Sequence, residues 1–109
     1  MQTATAARDR VFQALADPSR RAILESLMRG EAGVNDLTAR FDISQPAVSQ
    51  HLATLKGAGL VNARREGRRV YYRVRPRGMK PLIDWMAHYR VFWTEHVERL
   101  ERLLETMDE

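Results

Sequence analysis

Apolar residues recur at helical spacing in five stretches of this chain, and one stretch alternates instead. Val11, Phe12 and Leu15 share a face of a first helix over about residues 4–16. Asp17-Pro18-Ser19 restarts the chain as a second helix: Asp17 caps free amides, and Pro18 takes the first helical position, where its missing N–H costs nothing. Ile23, Leu24 and Leu27 give that helix its apolar side, and Gly30 ends it. Ala32 to Val34 reads as a short extended piece. Asn35 or Asp36 then caps a third helix with Leu37 and Phe41 inward. After a tight Asp42-Ile43 connector, Ser44 caps a fourth helix, which has Pro46 in its first turn and ends at Gly57-Ala58-Gly59. Leu60–Ala63 and Val70–Val74 form two strands joined by a turn around Glu66-Gly67. Val70, Tyr72 and Val74 alternate with Tyr71 and Arg73, the period of a half-buried ribbon. Pro76-Arg77-Gly78 is a hinge. From Met79 to Met107 the period is helical again, over about 29 residues or roughly 43 Å.

The fourth helix has an unusual outer face. At 100° per residue, Val48, Leu52 and Leu55 form its buried stripe. Pro46, Ser49, Gln50, Ala53 and Thr54 point away, with Gln45 on the shoulder. A helix built only for solvent carries more Glu and Lys, and one built for a protein partner carries large apolar residues. Small side chains that donate and accept hydrogen bonds are suited to reading base edges. The three-residue connector Asp42-Ile43-Ser44 is the length a helix-turn-helix uses. His51 lies beside the buried stripe, so packing, capping and groove contact all remain open for it.

Charge sharpens this picture. The chain has 109 residues, 29% of them charged and 44% hydrophobic, and a formal net charge of +4. That is enough for one domain and one core, and too apolar for disorder. Residues 1–39 balance to zero, residues 40–83 carry +8, and residues 84–109 carry −4. A polyanion would dock on the middle third and be repelled by the tail. Within that third, Lys56 and the hairpin arginines Arg64, Arg65, Arg68 and Arg69 are placed to hold phosphates, which position a protein on DNA without naming bases. The chain has no cysteine, which excludes disulfides, thiolate catalysis and cysteine-based metal sites. Its first residues lack the apolar core of a signal peptide, and no apolar run approaches the roughly 18 residues of a membrane span. The expected location is the cytoplasm, on the nucleoid when DNA is bound, with no membrane partner. The histidines are scattered and the carboxylates lie mainly on the last helix, so no acid–base cluster of an enzyme forms.

Three ordered motifs carry a family resemblance over nearly the whole chain. They are Ala16-Asp17-Pro18-Ser19-Arg20-Arg21-Ala22-Ile23-Leu24, Ser44-Gln45-Pro46-Ala47-Val48-Ser49-Gln50-His51-Leu52, and Gly59-Leu60-Val61 leading into Arg65-Glu66-Gly67-Arg68. The chain resembles the ArsR family of winged-helix repressors. That resemblance implies a homodimer on an imperfect inverted repeat in its own or a neighbouring promoter, with Ser44, Gln45, Ser49, Gln50 and His51 as groove residues.

Many members of that family sense metals, and here the match thins. The cysteine pair on the recognition side is absent. The other common site places Asp-x-His early in the last helix and His-x-x-Glu or His-x-x-His later. Asp84-Trp85-Met86 lacks the first histidine, and His96-Val97-Glu98-Arg99 has arginine where the acid belongs. Asp84 and His88 are one helical turn apart, but two ligands do not make a site. His88 and His96 stand about 12 Å apart along one helix and cannot chelate together within a subunit. No cofactor is expected, and no effector can be named. This departure shifts the resemblance toward the autorepressor-like branch without a known effector, in which an aromatic last helix serves dimerisation.

The expected fold is mainly α with a small β-hairpin, a single winged-helix domain over residues 1–109. Residues 35–56 form the helix-turn-helix and residues 60–75 the wing. Residues 4–16 and 79–107 form the dimer interface, through Val11, Phe12, Leu15, Leu82, Trp85, Met86, Tyr89, Phe92, Trp93, Leu100 and Leu104. One small core cannot bury so wide a stripe alone. The expected DNA-binding residues are Ser44, Gln45, Pro46, Ser49, Gln50, His51, Thr54, Lys56, Arg64, Arg65, Arg68 and Arg69. The expected function is a homodimeric, sequence-specific repressor that binds double-stranded DNA. The alternatives are a winged helix used for protein interaction, or a repressor answering to a metal or small molecule through its last helix. For a hydrophobic ligand, Trp85, Tyr89, Phe92 and Trp93 would line the pocket.

Overall fold

Asp17 ends one helix and starts the next. Helix α1 covers Gln2–Leu15 and α2 covers Pro18–Met28. The Asp17 carboxylate accepts the amides of Ser19 at 2.7 Å and Arg20 at 3.1 Å. The next two residues close the corner from the other side. Arg20 donates to the carbonyls of Ala14 at 2.7 Å and Gln13 at 3.0 Å, and Arg21 donates to that of Leu15 at 2.7 Å. Those carbonyls end α1 and have no partner within the helix. The computed structural model describes residues 2–108, with side chains from Thr5 onward.

The backbone amide of Arg20, aided by that of Ser19, holds the Asp17 carboxyl below its ordinary range. A carboxyl depressed in the folded state adds stability above its unfolded pKa, and that stability is lost as pH falls through the folded value. Asp17→Ala is therefore expected to melt earlier than the parent at pH 7. The gap should close as the pH falls below the usual carboxylate range, and Asp17→Asn should keep the cap without the pH dependence. Melting curves from pH 7 to strongly acidic buffer check this.

Helix α3, Val34–Phe41, begins earlier than expected. Gly33 is its extended N-cap residue, and the amide of Gly33 donates at 3.0 Å to Asp36, which reaches back from the first turn. Asn35 and Asp36 thus lie inside the helix. Asp42 ends it in the left-handed conformation, φ 52° and ψ 42°, and Ser44 caps α4, Gln45–Gly57, accepting from the amide of Ala47 at 3.2 Å. Val48, Leu52 and Leu55 are fully buried and meet Ile23, Leu24, Leu27, Leu37, Leu60 and Val61 in one core. Val11 belongs to that core too, at 1% exposure. It was expected at the dimer face, but its position on α1 turns it toward the protein's own interior.

The wing is longer than the alternation indicated and has a third strand. Strands β2 (Val61–Glu66) and β3 (Arg69–Val74) pair antiparallel, and β1 (Ala32–Gly33) pairs with the other edge of β3. The turn is Gly67-Arg68, one residue later than expected. Gly67 stands at φ 61° in the first central position, which a two-residue hairpin fills readily only with glycine. Opposite residues share a face, so Val61, Ala63 and Arg65 lie with Val74, Tyr72 and Val70. Asn62, Arg64 and Glu66 lie with Arg73, Tyr71 and Arg69 on the other side.

The long last helix of the sequence reading is two helices. A 3₁₀ turn, Pro76–Met79, leads into α5 (Lys80–His88), and α6 (Arg90–Asp108) follows a break at Tyr89. The Tyr89 amide bonds to the Met86 carbonyl at 3.2 Å, a tightened last turn, with Tyr89 at φ −105° and ψ 16°. No glycine or proline marks this break, so the periodicity ran through it. Helix α5 lies on α1, with Leu82 against the core and Trp85 edge-on to Phe12 at 5.3 Å. Leu15 also packs inward. By contrast, every residue of α6 is exposed. The radius of gyration, 17.7 Å, exceeds the roughly 13 Å of a compact chain this long because of that projecting helix.

Candidate nucleic-acid interface

The buried stripe of α4 fixes which side chains it presents. Gln45, Pro46, Ser49, Gln50, Ala53, Thr54 and Lys56 are exposed, as the 100° rotation requires, and Ser44 is exposed at the cap. The Thr54 hydroxyl donates to the Gln50 carbonyl at 3.1 Å, leaving its oxygen free to accept. Ser49 and Gln50 stand one turn before it, so the outward face offers donors and acceptors without a charge until Lys56. His51 is half-buried, and its Nδ1 is buried without a hydrogen-bond partner. Its ring therefore sits on the packed side of the helix, apart from Ser49 and Gln50.

The four wing arginines do not act as one finger. Arg65, Arg68 and Arg69 are exposed. Arg64 points to the outer face, where it meets Glu31 in a forked ion pair, donates to Glu66 at 3.0 Å, and lies 5.1 Å from the centre of the Tyr71 ring. The paired guanidinium holds the Glu31 carboxyl below its ordinary range, and Glu31 in turn raises the arginine. Arg64, expected as a phosphate ligand, thus has three of its N–H groups on Glu31 and Glu66. Arg69 is likewise pushed above its usual value by Tyr71, and the residue is exposed.

A cleft of about 400 Å³ separates the wing from the start of α4. Gln45, Arg68, Arg69, Asn35 and Asp36 are among the residues that line it. Two guanidinium groups at one cleft suit a phosphate oxygen. Asp36 opposes that charge, though its carboxylate already accepts the Gly33 amide. The sequence reading assigned Asn35 and Asp36 to a cap and did not place them beside the wing, where they line this cleft.

The other candidate residues separate into two groups. Met86, Tyr89, Phe92, Trp93, Leu100 and Leu104 are exposed, as are Ile83, Val91, Val97, Leu103 and Met107. Tyr89, Trp93, His96, Leu100, Leu103 and Met107 follow one another at alternating steps of four and three, the spacing of a helix–helix seam. Leu82 and Trp85 are half-buried against the body of the same chain. Asp84 pairs with Lys80 at 2.8 Å, His88 sits edge-on to Tyr89, and the His96 ring stacks on Phe92 with Nδ1 2.8 Å from the Phe92 carbonyl. Among the described residues no three His, Asp or Glu side chains converge as metal ligands. A separate cavity of about 580 Å³ between α1 and α5 is lined by Trp85 and Tyr89, with Arg8, Arg77 and Lys80, but not by Phe92 or Trp93. No described helix is long and apolar enough to cross a membrane.

A capped reading helix after a left-handed turn, followed by a basic hairpin, defines a winged-helix DNA-binding protein. Residues 17–63 match the family model described as bacterial regulatory protein, arsR family. The HTH-type transcriptional regulator Rv2034 of Mycobacterium tuberculosis is 41% identical over 90% of this chain and 89% of its own length. The transcriptional repressor SdpR of Bacillus subtilis is 37% identical over 72% and 88%. The solved ArsR-like transcriptional regulator from Rhodococcus sp. RHA1 superposes with a TM-score of 0.75 at 26% identity, covering 94% of this chain and 96% of that one. The chain belongs to the ArsR family of DNA-binding transcriptional regulators, a family whose members are not enzymes.

Proposed function

We propose that this protein is a homodimeric repressor, working in the cytoplasm, that binds an inverted-repeat operator through two copies of α4 and two wings. The observation that carries the dimer is α6, whose apolar seam is exposed along its whole length. Two chains sharing that seam bury it and present two reading helices, which a pseudo-palindromic site matches at a spacing of about 34 Å. Gln45, Ser49, Gln50 and Thr54 read bases. Ser44 and Pro46 set the start of that helix against the backbone. Lys56, Arg65, Arg68 and Arg69 hold phosphates, and repression follows from occupying a promoter.

Four basic groups per chain make eight in the dimer, so affinity should fall about 10⁴-fold between about 50 and 200 mM salt. Replacing Arg68 and Arg69 together by alanine removes four of the eight and should reduce that fall to about 10²-fold. Fluorescence anisotropy on the protein's own upstream region measures both, and footprinting locates the operator. Binding no tighter than to random duplex would sink the proposal.

A further inference from the structure

Arg64 and Glu31 form a staple over the wing. Glu31 immediately precedes β1, in the connection that leaves α2, and Arg64 lies on β2, the opposite edge of the sheet. Their contact passes over central strand β3, where Tyr71 lies opposite Arg64 and its ring backs the guanidinium. The carboxylate takes both prongs of the fork, Nε at 3.4 Å and a terminal nitrogen, while the remaining terminal nitrogen goes to Glu66 at 3.0 Å. Strand β1 pairs with β3 at only two residues, Ala32 with Tyr72 and Gly33 with Tyr71. The backbone ladder alone is thus a short attachment between the hairpin and the part of the chain that carries α2 and α3.

We propose that Glu31 is a positioning residue for DNA binding: through Arg64 it fixes the angle of the wing, and Arg64 is a brace that touches no phosphate. The consequence runs against simple electrostatics. Removing an acid from a DNA-binding surface ordinarily strengthens binding, because each negative charge repels the polyanion. Here its removal frees the wing, so Arg65, Arg68 and Arg69 must be ordered again at each binding event, an entropic cost that lowers affinity. An exposed pair of this kind contributes modestly, so the expected changes are severalfold and the sign is the test. The inference rests on the reading that the wing contacts DNA, but one arm of its test does not need DNA.

The probe is a mixed-sequence duplex of about 30 base pairs, because phosphate contacts by the wing do not depend on the operator. Affinity should fall in the order parent, Glu31→Gln, Glu31→Ala, with the last about fivefold below the parent. Arg64→Ala should lose a similar factor while leaving the salt slope unchanged, whereas Arg68→Ala flattens that slope by about 2 per dimer. Hydrogen exchange of the free protein should speed up at the ladder-bonded Glu66, Arg69 and Tyr71 amides in Glu31→Ala and Arg64→Ala, but not in Arg68→Ala. The proposal is overturned if both Glu31 variants bind more tightly than the parent. It is equally overturned if Arg64→Ala flattens the slope as Arg68→Ala does, or if wing exchange is unchanged. A parent that binds no duplex refutes the DNA reading, and the exchange arm then decides the brace by itself.

Discussion

Gly78→Ala is expected to lower the melting temperature by roughly 12–20 °C, the equivalent of about 3 kcal/mol in a domain near 100 residues. A Cβ built on Gly78 falls 2.0 Å from the carbonyl oxygen of Gly59, 2.8 Å from its carbon and 3.0 Å from Cα of Leu60. All three are backbone atoms, so no side-chain rotation relieves the overlap. The backbone opposite is pinned. The Leu60 amide bonds to Leu55 at 3.0 Å, the Leu60 carbonyl accepts from Arg75 at 2.8 Å, and Gly59 stands at φ 80°. Relief must come from moving the 3₁₀ turn away, which lifts α5 off α1 and strains the exit from β3. Gly57→Ala is the control, since a Cβ there meets nothing within 4 Å. Thermal melts at one fixed protein concentration compare the two, because association makes melting concentration-dependent. A Gly78→Ala protein that melts with the parent would mean the Gly59–Gly78 approach is not a constraint.

The regular parts of this fold were legible because their signals are local and redundant. Val48, Leu52 and Leu55 announce their burial by spacing alone, and the structure buries all three completely. Asp17 and Ser44 cap the helices they precede, since an extended residue with a short acceptor has little else to do at those positions. The break at Tyr89 had no such signal. An uninterrupted apolar period reports which side of a helix is greasy, and that side is continuous across the kink. Val11 failed differently: its spacing placed it on the apolar side of α1, but spacing does not divide that side between the chain's own core and an outer surface.

The basic hairpin gives the same lesson about charge. Four arginines in six residues are equivalent in a sequence count, yet strand alternation sends Arg64 and Arg65 to opposite faces. The partner that engages Arg64 lies 33 positions away, at Glu31, and comes close only because β1 joins the sheet. Tyr71 reads as one half of an alternating pair until the register sets it against Arg64. Tertiary pairing of this kind leaves no periodic trace, so a charge count cannot tell the paired Arg64 from the exposed Arg65, Arg68 and Arg69.

Replacing Trp93 and Leu100 together by glutamate should yield a folded monomer that binds its operator about 10²–10⁴-fold more weakly than the parent. The fold survives because these residues give nothing to the core of their own chain: Trp93 is 45% exposed and Leu100 54%, on a helix with no buried position. The dimer does not survive. Burying the exposed half of a large apolar side chain is worth roughly 1 kcal/mol. Phe92, Trp93, Leu100 and Leu104 from two chains then supply on the order of 8 kcal/mol before association is charged its entropy. Two substitutions per chain remove half of that and leave carboxylates facing an apolar seam, which costs several kcal/mol more. The loss in DNA affinity follows from linkage. In the dimer the second reading helix meets its half-site at an effective concentration in the millimolar range, and the monomer forgoes that advantage. Sedimentation equilibrium, circular dichroism and anisotropy on the footprinted operator test the three parts separately. A variant that stays dimeric would move the interface away from α6. One that is monomeric yet binds as the parent does would show that a single reading helix and wing suffice.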